Sequence, residues 1–431
     1  MRYLVLLVIS FHMLTRRNWL KRASLLTAGG VLSPGLLQAA QFVSLRLSGF
    51  FPMGVASADV HHDSVILWTC YRGIYRLRVC VWASDVEPIW QDAEPTPWGY
   101  THLEVSGLSP FKRYRYAFYE TLNGVSLSRS IIGSFKTAPA PGDLVSLKFG
   151  AISCIKNTGG STVLEHAGAR DDLDFFLCNG DSSYNDSVQS LYGYQQAWLK
   201  TLSSRGCQML RRSTSLIGTI DDHEIEDNFD PETINPLKLQ AAKKAFFEHM
   251  PLRRNETKPD QIWRKFSFGA TADIFVLDCR TERRPSFGRY MSRAQMDWLK
   301  QGLFESGAMF KIIMNSVPIS EFPFPMASDR WEGYPVQRQE ILGFIDEFRI
   351  PGILWVSGDF HFTSKGRVSK KGFGANQIEV LAGPGAQLPN VAGYALKTSS
   401  QFDWVHVKNS YLVIDCDVKT QSIKIEPIFG D

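Results

Sequence analysis

No two cysteines in this chain are spaced as a C-x-x-C pair, and the total of seven is odd, so neither a disulfide framework nor a zinc ribbon is indicated. Cys80, Cys279 and Cys416 fall in strand-like apolar runs, where a thiol serves as a small core side chain. A dominant charge of one sign is also missing. The formal net charge is +4 over 431 residues. The short basic runs Arg253-Arg254 and Lys370-Lys371 read as solvated loops, which leaves no nucleic-acid-binding arm. No internal repeat stands out. The first apolar run, residues 1–12, is at roughly ten residues too short to span a bilayer. What remains is a chain long enough for two domains, each with a full core.

The N-terminus carries an address. Thr15-Arg16-Arg17-Asn18-Trp19-Leu20-Lys21 precedes a moderately apolar segment from Ala23 to Gln38 and then Ala39-Ala40. Residues 1–40 therefore read as an N-terminal extension and twin-arginine signal, with the twin-arginine export machinery as partner and a periplasmic or secreted destination. The alternative is a short basic amphipathic segment. Met13 competes with Met1 as the start. The small residue expected three positions from the cut is missing for either alanine, so an uncleaved membrane anchor stays open.

Over 41–141 short β-type runs alternate with turn residues, including Ser64 to Thr69, Tyr75 to Trp82 and Arg113 to Tyr119. Alternating aromatic and basic residues at this spacing predict an antiparallel sandwich. Leu108-Ser109-Pro110 ahead of Tyr114 and Tyr116 resembles the tyrosine corner of fibronectin type III domains, so this segment is expected to be an accessory Ig/fibronectin III-like sandwich. His61, His62 and His102 have no acidic partner at ligand spacing there. Ala138-Pro139-Ala140-Pro141-Gly142-Asp143 reads as a linker. Beyond it, in 142–431, strands alternate with helical patterns at 191–203, 235–249, 292–306 and 336–348, as in a layered α/β domain. Met296, Leu299 and Leu303 recur at helical spacing and belong to the core.

Chemistry gathers where apolar runs end. Asp174-Phe175-Phe176-Leu177 leads into Cys178-Asn179-Gly180-Asp181-Ser182-Ser183-Tyr184, which delivers an aspartate and a tyrosine around a glycine turn. These can share a metal, or Asp181 can simply cap a helix. Four other runs end in similar residues: the run to Ser153-Cys154, the run to Asp221-Asp222-His223-Glu224, the run to Asn315, and the run to Gly358-Asp359-Phe360-His361. In open α/β sheets the carboxyl ends of strands line one edge, so five such ends point to one metal centre. A histidine among three carboxylates can act as ligand or proton donor. Asn228 either extends the ligand set or is a turn asparagine. Asp359 and His361 alternate across Phe360, which in an extended backbone points both side chains the same way.

With these residues assembled, the sequence resembles the alkaline phosphatase D (PhoD-like) family of calcineurin-like metallophosphoesterases. The likeness starts at Phe51-Pro52-Met53-Gly54-Val55-Ala56-Ser57-Ala58-Asp59 and rests on Gly-Asp-x-x-Tyr at Gly180 to Tyr184, Asp-Asp-His-Glu at Asp221 to Glu224, and Gly-Asp-x-His at Gly358 to His361, in that order. The resemblance implies an α/β (α+β) β-sheet sandwich flanked by helices, preceded by the all-β sandwich. It makes Asp181 the metal-bridging carboxylate, Cys154, Tyr184 and Asp222 ligands, and His223 the catalytic proton donor. Asp359 and His361 complete the centre, while Asn315 falls where many relatives place a histidine. Iron as Fe(III) and calcium as Ca(II) are the implied metals, other divalent ions being possible, and a phosphate ester is the implied substrate. Ala58 stands where relatives commonly have glycine, and Ile155-Lys156 where they often have glutamine. Arg280, Arg283, Arg284 and Lys156 are the cations available to a terminal phosphate. A phosphodiesterase or phospholipase D-like enzyme acting on envelope polymers or lipids is the alternative within enzymes. A non-catalytic cell-envelope binding protein is the alternative outside them.

Replacing Arg16 and Arg17 together by lysine should leave a folded, active precursor in the cytoplasm. Fractionation that finds the double variant still in the periplasm would overturn the twin-arginine reading.

Overall fold

The computed structural model describes residues 44–156, 161–323 and 328–430. Residues 1–40, where the export signal is expected, lie outside them. The apolar and aromatic runs of the N-terminal part form β1 (Val55–Ala58), β2 (Ser64–Cys70), β3 (Arg76–Ala83), β4 (Val86–Ala93), β5 (Tyr100–Ser106), β6 (Arg113–Leu122), β7 (Val125–Arg129) and β8 (Gly133–Lys136). Residues 137–146, which hold the proline-rich stretch, contain neither strand nor helix. Next come β9 (Leu147–Ile152), α1 (Thr162–Ala169), β10 (Phe175–Cys178), α2 (Leu191–Leu202), α3 (Arg205–Ser213), β11 (Ser215–Gly218) and α4 (Pro236–His249). They are followed by β12 (Arg264–Phe268), β13 (Ala272–Val276), α5 (Arg293–Glu305), β14 (Phe310–Met314), α6 (Pro335–Glu347) and β15 (Ile353–Ser357). The chain finishes with β16 (Thr363–Arg367), β17 (Ile378–Leu381), β18 (Phe402–His406), β19 (Ser410–Asp417) and β20 (Ser422–Phe429).

The four predicted helices are α2, α4, α5 and α6. Three start on a capping side chain, Ser190, Asn235 or Ser292, that accepts a hydrogen bond from the first turn, and α6 starts on Pro335. Helices α1 and α3 are additional to the prediction. At eight and nine residues, neither is long enough for an apolar period to repeat clearly.

Two sheets form the body. One runs β20-β19-β9-β10-β11-β1-β2-β5 and the other β12-β13-β14-β15-β17-β16-β18. All five apolar runs that end in candidate ligands sit in parallel ladders, β9-β10-β11 in the first sheet and β14-β15 in the second. Side chains alternate between the two faces of each strand. Phe175 and Leu177 meet Ile312, Met314, Leu354 and Val356 in a shared core between the sheets, while Phe176 and Cys178 turn to the helices of the first sheet. On the far side Ile313 and Trp355 pack with Met296, Leu299 and Leu303 of α5 and Ile341 and Leu342 of α6. The layers are therefore helix, sheet, sheet, helix.

The N-terminal strands are joined to this body by hydrogen bonds. A five-stranded sheet, β4-β3-β6-β7 with β8 on β6, packs Val79, Val81, Tyr116 and Phe118 against Val55, Val65 and Leu67. Two β layers do face each other, yet one of them is not separate. β1 pairs in parallel with β11, Ser57 opposite Ser215, so β1, β2 and β5 extend the large sheet. A backbone amide only needs a partner strand, and an apolar run does not say which strand that is. The Ser109 N–H donates to Tyr114 Oη at 2.8 Å, the bond a tyrosine corner requires. Asp59, fully buried just after β1, fixes the junction. Its carboxylate accepts from Arg264 Nη2 and Nε of β12 at 2.8 and 2.9 Å and from the Arg253 N–H at 2.6 Å.

Candidate metal centre

Four of the five apolar strands deliver their candidate residues to one place. Cys154 follows β9, Asp181 and Tyr184 follow β10, Asp221 to Glu224 follow β11, and Asp359 and His361 follow β15. Three groups have ligand atoms within 4.8 Å of one another: Cys154 with Asp181 and His361, Asp181 with Asp222 and His223, and Asp221 with Asp222 and Asp359. Asp181 and Asp222 are each shared between two groups, so the three are one continuous cluster.

The backbone is bent to build it. Cys154, Asp181, Asn228, Asp359 and His361 all have left-handed φ, at 58°, 54°, 50°, 67° and 55°. Residues with a Cβ adopt this region at a cost of about 1–3 kcal/mol each when the surroundings hold them there. Two glycines make the close approach possible. A Cβ on Gly180 would lie 2.5 Å from Asp221 Cβ, and one on Gly358 would lie 2.7 Å from Ser153 Cβ. The turn at Gly358 also corrects one expectation. Asp359 and His361 are not in extended backbone, and they serve different groups, Asp359 with Asp221 and Asp222, His361 with Cys154 and Asp181.

Tyr184 Oη lies 3.3 Å from Asp181 Oδ2 and 3.1 Å from His361 Nε2, and Cys154 Sγ lies 3.4 Å from Asp181 Oδ2. Burial and the nearby carboxylates push Cys154 and Tyr184 well above their usual range, so without a cation both keep their protons. His223 stacks on Tyr184 with ring centres 4.0 Å apart, and its Nδ1 sits 2.6 Å from Asp186 Oδ1. Burial opposes its charge, but Asp186, Asp222 and Asp227 outweigh burial and raise it to about 9. Burial, with the charge of His223, drives His361 the other way, to about 4. The two histidines of the site are thus held in opposite states at neutral pH, one protonated and one free to be a ligand.

Asp181, Asp221, Asp222, Glu224 and Asp359 bring five carboxyls into the buried region, and Arg280 is their central counter-charge. Its guanidinium is fully buried and pairs with Asp221, with Asp359 at 3.0 Å, with Asp329 at 3.4 Å and with Asp222 at 3.5 Å. Burial raises Asp181 well above the carboxyl range, and raises Asp359 likewise against the pull of Arg280. Asp221 rises to about 6 and Glu224 to about 8, again chiefly by burial. Burial acts on Asp222 as well, but Arg280, His223 and the Asn228 N–H hold it below the usual value. Asp221 Oδ2 is buried without a hydrogen bond, and Asp222 Oδ1 has only the Arg280 guanidinium at 3.5 Å. An orphaned carboxylate oxygen in a cluster with excess negative charge is what a metal cation would satisfy, so the residues fit a metal centre.

Not every expected residue meets the cluster in the same way. Asn228 touches it through its backbone N–H, which donates to Asp222 Oδ2 at 2.6 Å, while its side-chain amide donates to Asp227. Asn315 is occupied elsewhere: its Oδ1 accepts from Cys279 Sγ at 2.8 Å and from Trp331 Nε1 at 3.3 Å. Arg280 and Arg283 are buried and already committed, Arg283 to the carbonyls of Phe229 and Asp329. Lys156 is the exposed cation at the rim, its Nζ 5.3 Å from the Tyr184 ring centre. Asp186 is absent from the sequence reading, and Glu224 and Arg280, named there as a motif carboxylate and as a cation for the phosphate, have other roles in the structure. Asp186 orients His223. Glu224 accepts from the N–H groups of Asp181, Ser182 and Asp221 at 3.1, 2.5 and 2.9 Å, tying two ligand loops together. Arg280 neutralises the cluster. Asp186 and Glu224 lie beside or inside the two motifs, which is the signal that points to them.

Raised carboxyls give a pH signature. In the metal-free fold Asp221 and Glu224 bind protons that the unfolded chain has released, so between about pH 4 and about pH 8 their contribution to stability falls as pH rises, and above about pH 6.5 the lowered histidines His102, His249 and His361 no longer oppose it. Chelator-treated protein should therefore melt lower at the alkaline end of this window, and added metal should restore it most there. Melting that ignores both chelator and pH would refute a cation at this cluster.

The comparisons with known proteins agree with this geometry. The family description "PhoD-like phosphatase" matches residues 149–401, more than half of the chain and a range that includes every residue of the cluster. Alkaline phosphatase D of Bacillus subtilis (strain 168) is 29% identical over 380 residues, covering 72% of this chain and 64% of that protein, so the chain spans just under two thirds of its length. Among solved structures, that of PhoD aligns with a TM-score of 0.74 and 22% identity over 89% of this chain and 90% of that one. A purple acid phosphatase, PPD1 from yellow lupin (Lupinus luteus) seeds, aligns with a TM-score of 0.63 and 13% identity over 88% of this chain and 71% of that one. The layered fold is therefore shared with both, and by its match to the family description this chain belongs to the PhoD-like phosphatase family.

Proposed function

We propose that this protein is an exported, metal-dependent phosphoric ester hydrolase in which His223 gives a proton to the leaving oxygen. The observation that carries the reading is the pairing of a protonated His223 with an unbalanced carboxylate cluster at the same strand ends. A bound metal centre would supply Lewis acidity and a water nucleophile active near neutral pH. The chain's own residues do the rest. Asp186 holds the Nδ1 side of His223, and Asp227 is 3.8 Å from Nε2, beyond hydrogen-bond range, so Nε2–H is free to serve as the general acid. Lys156 brings a positive charge to the rim without being tied to a carboxylate. Arg280 keeps Asp221 and Asp359 in place.

The donor sets favour two different metals. Cys154, Asp181, Tyr184 and His361 offer sulfur, phenol, carboxylate and imidazole, and a phenol with a raised pKa yields its proton only to a strong Lewis acid such as Fe(III). Asp221, Asp222 and Asp359 offer oxygen alone, which suits Ca(II), with Asn228 beside them. A phosphodiester substrate has its own support. Of the candidate cations Arg280 and Arg283 are buried, which leaves Lys156 and Arg284 exposed among the described residues, fewer than the arginine cluster a doubly charged terminal phosphate calls for. Export rests on residues 1–40 alone. Among the described residues no helix is long and apolar enough to cross a membrane.

Turnover of His223→Ala should drop by roughly a hundredfold or more on alkyl esters and by less on nitrophenyl esters, whose leaving group needs little protonation. Its metal content should be unchanged. Equal losses on both ester classes, or loss of metal, would sink the assignment. In the same preparations a visible charge-transfer band should disappear in Tyr184→Phe, and a colourless, fully active enzyme would rule out iron.

A further inference from the structure

A second group of metal-ligating side chains stands apart from the carboxylate cluster. Cys178 ends β10, Cys207 sits on α3, and Met250 directly follows α4. All three sulfur residues line one small cavity of about 20 Å³, and Arg211 lines it with them. Cys178, the most exposed of the four, is 5% exposed. Leucine side chains form much of the remaining wall, which keeps water from the sulfurs. Ile155 and Ser182 reach the same cavity, so it adjoins the loops that carry Cys154 and Asp181.

Arg211 gives this group its charge. It stands one helical turn after Cys207 on the same face of α3. Its Nη2 donates to His249 O at 2.9 Å, its Nη1 lies 3.7 Å from Met250 Sδ, and its guanidinium carbon lies 4.6 Å from the centre of the Trp68 ring. Its Nε has no hydrogen bond. Among the described residues no carboxylate pairs with it. Burial pulls Arg211 down to about 10, and the groups that act against burial are Cys207, Cys178 and Tyr116. The guanidinium is therefore charged at neutral pH, and the last turn of α3 offers it only a partial negative pole. A buried ion without a counter-charge is strongly unfavourable, so this place calls for one negative charge. The Cys178 thiol does not supply it unaided, since burial holds it up at about 12.

We propose that Cys178, Cys207 and Met250 form a second metal site, selective for the soft monovalent cation Cu(I), with Arg211 as its counter-charge. Binding replaces two S–H bonds by two Cu–S bonds and releases both protons to water, while the Met250 thioether adds a neutral third ligand. Copper's single positive charge and the two thiolates leave a complex with one net negative charge. The guanidinium cancels it. A divalent ion such as Zn(II) would leave one positive charge over, and a structural zinc takes four ligands where three are at hand. Thiolate and thioether are the donors that select Cu(I). A cavity of this size holds a single water-sized particle, which suits one ion. A disulfide between the two cysteines would leave Arg211 without a counter-charge. The bound ion would tie β10, α3 and the end of α4 together.

The test loads the full, metal-replete protein with Cu(I) in the absence of oxygen and then challenges it with a chromogenic Cu(I) chelator. One copper per chain should be retained, and X-ray absorption should find sulfur alone around it. Cys178→Ala and Cys207→Ala should each release the copper, whereas Cys154→Ala, in the other cluster, should keep it. Arg211→Met should weaken binding by roughly 10–100-fold, and Arg211→Lys should recover part of the loss. Failure to retain copper, copper held through nitrogen or oxygen, copper kept by both cysteine variants, or an affinity indifferent to Arg211→Met overturns the proposal. So does mass spectrometry that finds Cys178 and Cys207 joined as a disulfide in the purified protein. X-ray absorption and mass spectrometry use the unaltered chain, so the question is decided even where a variant does not fold. Phosphoester hydrolysis enters none of these measurements, and its failure would remove the hydrolase reading while leaving the copper site intact.

Discussion

Charge that cannot be balanced by protein alone governs this site. Four buried carboxyls and the partly exposed Asp359 gather around one guanidinium, and taking each ion out of water costs several kcal/mol even after relaxation. A fold tolerates such a cluster only if something else supplies the missing positive charge or if protons stay bound, and the upward shifts of Asp181, Asp221, Glu224 and Asp359 are the second of these. Arg280 does not remove the imbalance. It fixes where the imbalance lies, by holding Asp221 and Asp359 while Asp221 Oδ2 keeps no hydrogen bond.

Neither sheet contains the site by itself. The first contributes Cys154, Asp181, Asp221 and Asp222, the second Asp359 and His361. Their relative placement is set by polar bonds between the two layers at the same end: Asn179 Nδ2 donates to Val356 O and Thr219 Oγ1 to Leu277 O, each at 2.6 Å. Asp59 and Arg264 do the same at the junction of β1 with β12. These bonds are short-range and directional, so they register the sheets more tightly than the apolar core between them does.

The strand ends were legible because period and chemistry coincide. A wholly apolar run followed at once by Asp, His, Cys or Tyr reads as a buried parallel strand with its carboxyl end in a site, and β9, β10, β11 and β15 all obey. Other parts were not legible for identifiable reasons. The extended backbone expected at Asp359 to His361 fails because two left-handed residues replace it, and nothing in the local sequence demands them. Arg280 reads as a mouth cation until the fold places it beneath the cluster, since side-chain depth is a tertiary property. Asn315 ends an apolar run like the others, but Cys279, Trp331 and Ser357 claim its amide. The joining of β1 to β11 involves partners far apart in sequence, which a pattern of alternation cannot specify.

That pairing also has a bearing on how the chain comes into being. β1 leaves the ribosome long before Ser215, its opposite residue, has been made, so the first strands must wait for a neighbour from the middle of the sequence. β9 waits longer still, because its outer partner β19 is nearly the last strand synthesised. A nascent chain of this topology carries open strand edges through most of translation and closes its sheet only near the end. The first sheet can therefore be completed only once β19 has been made, which puts its closure at the end of synthesis.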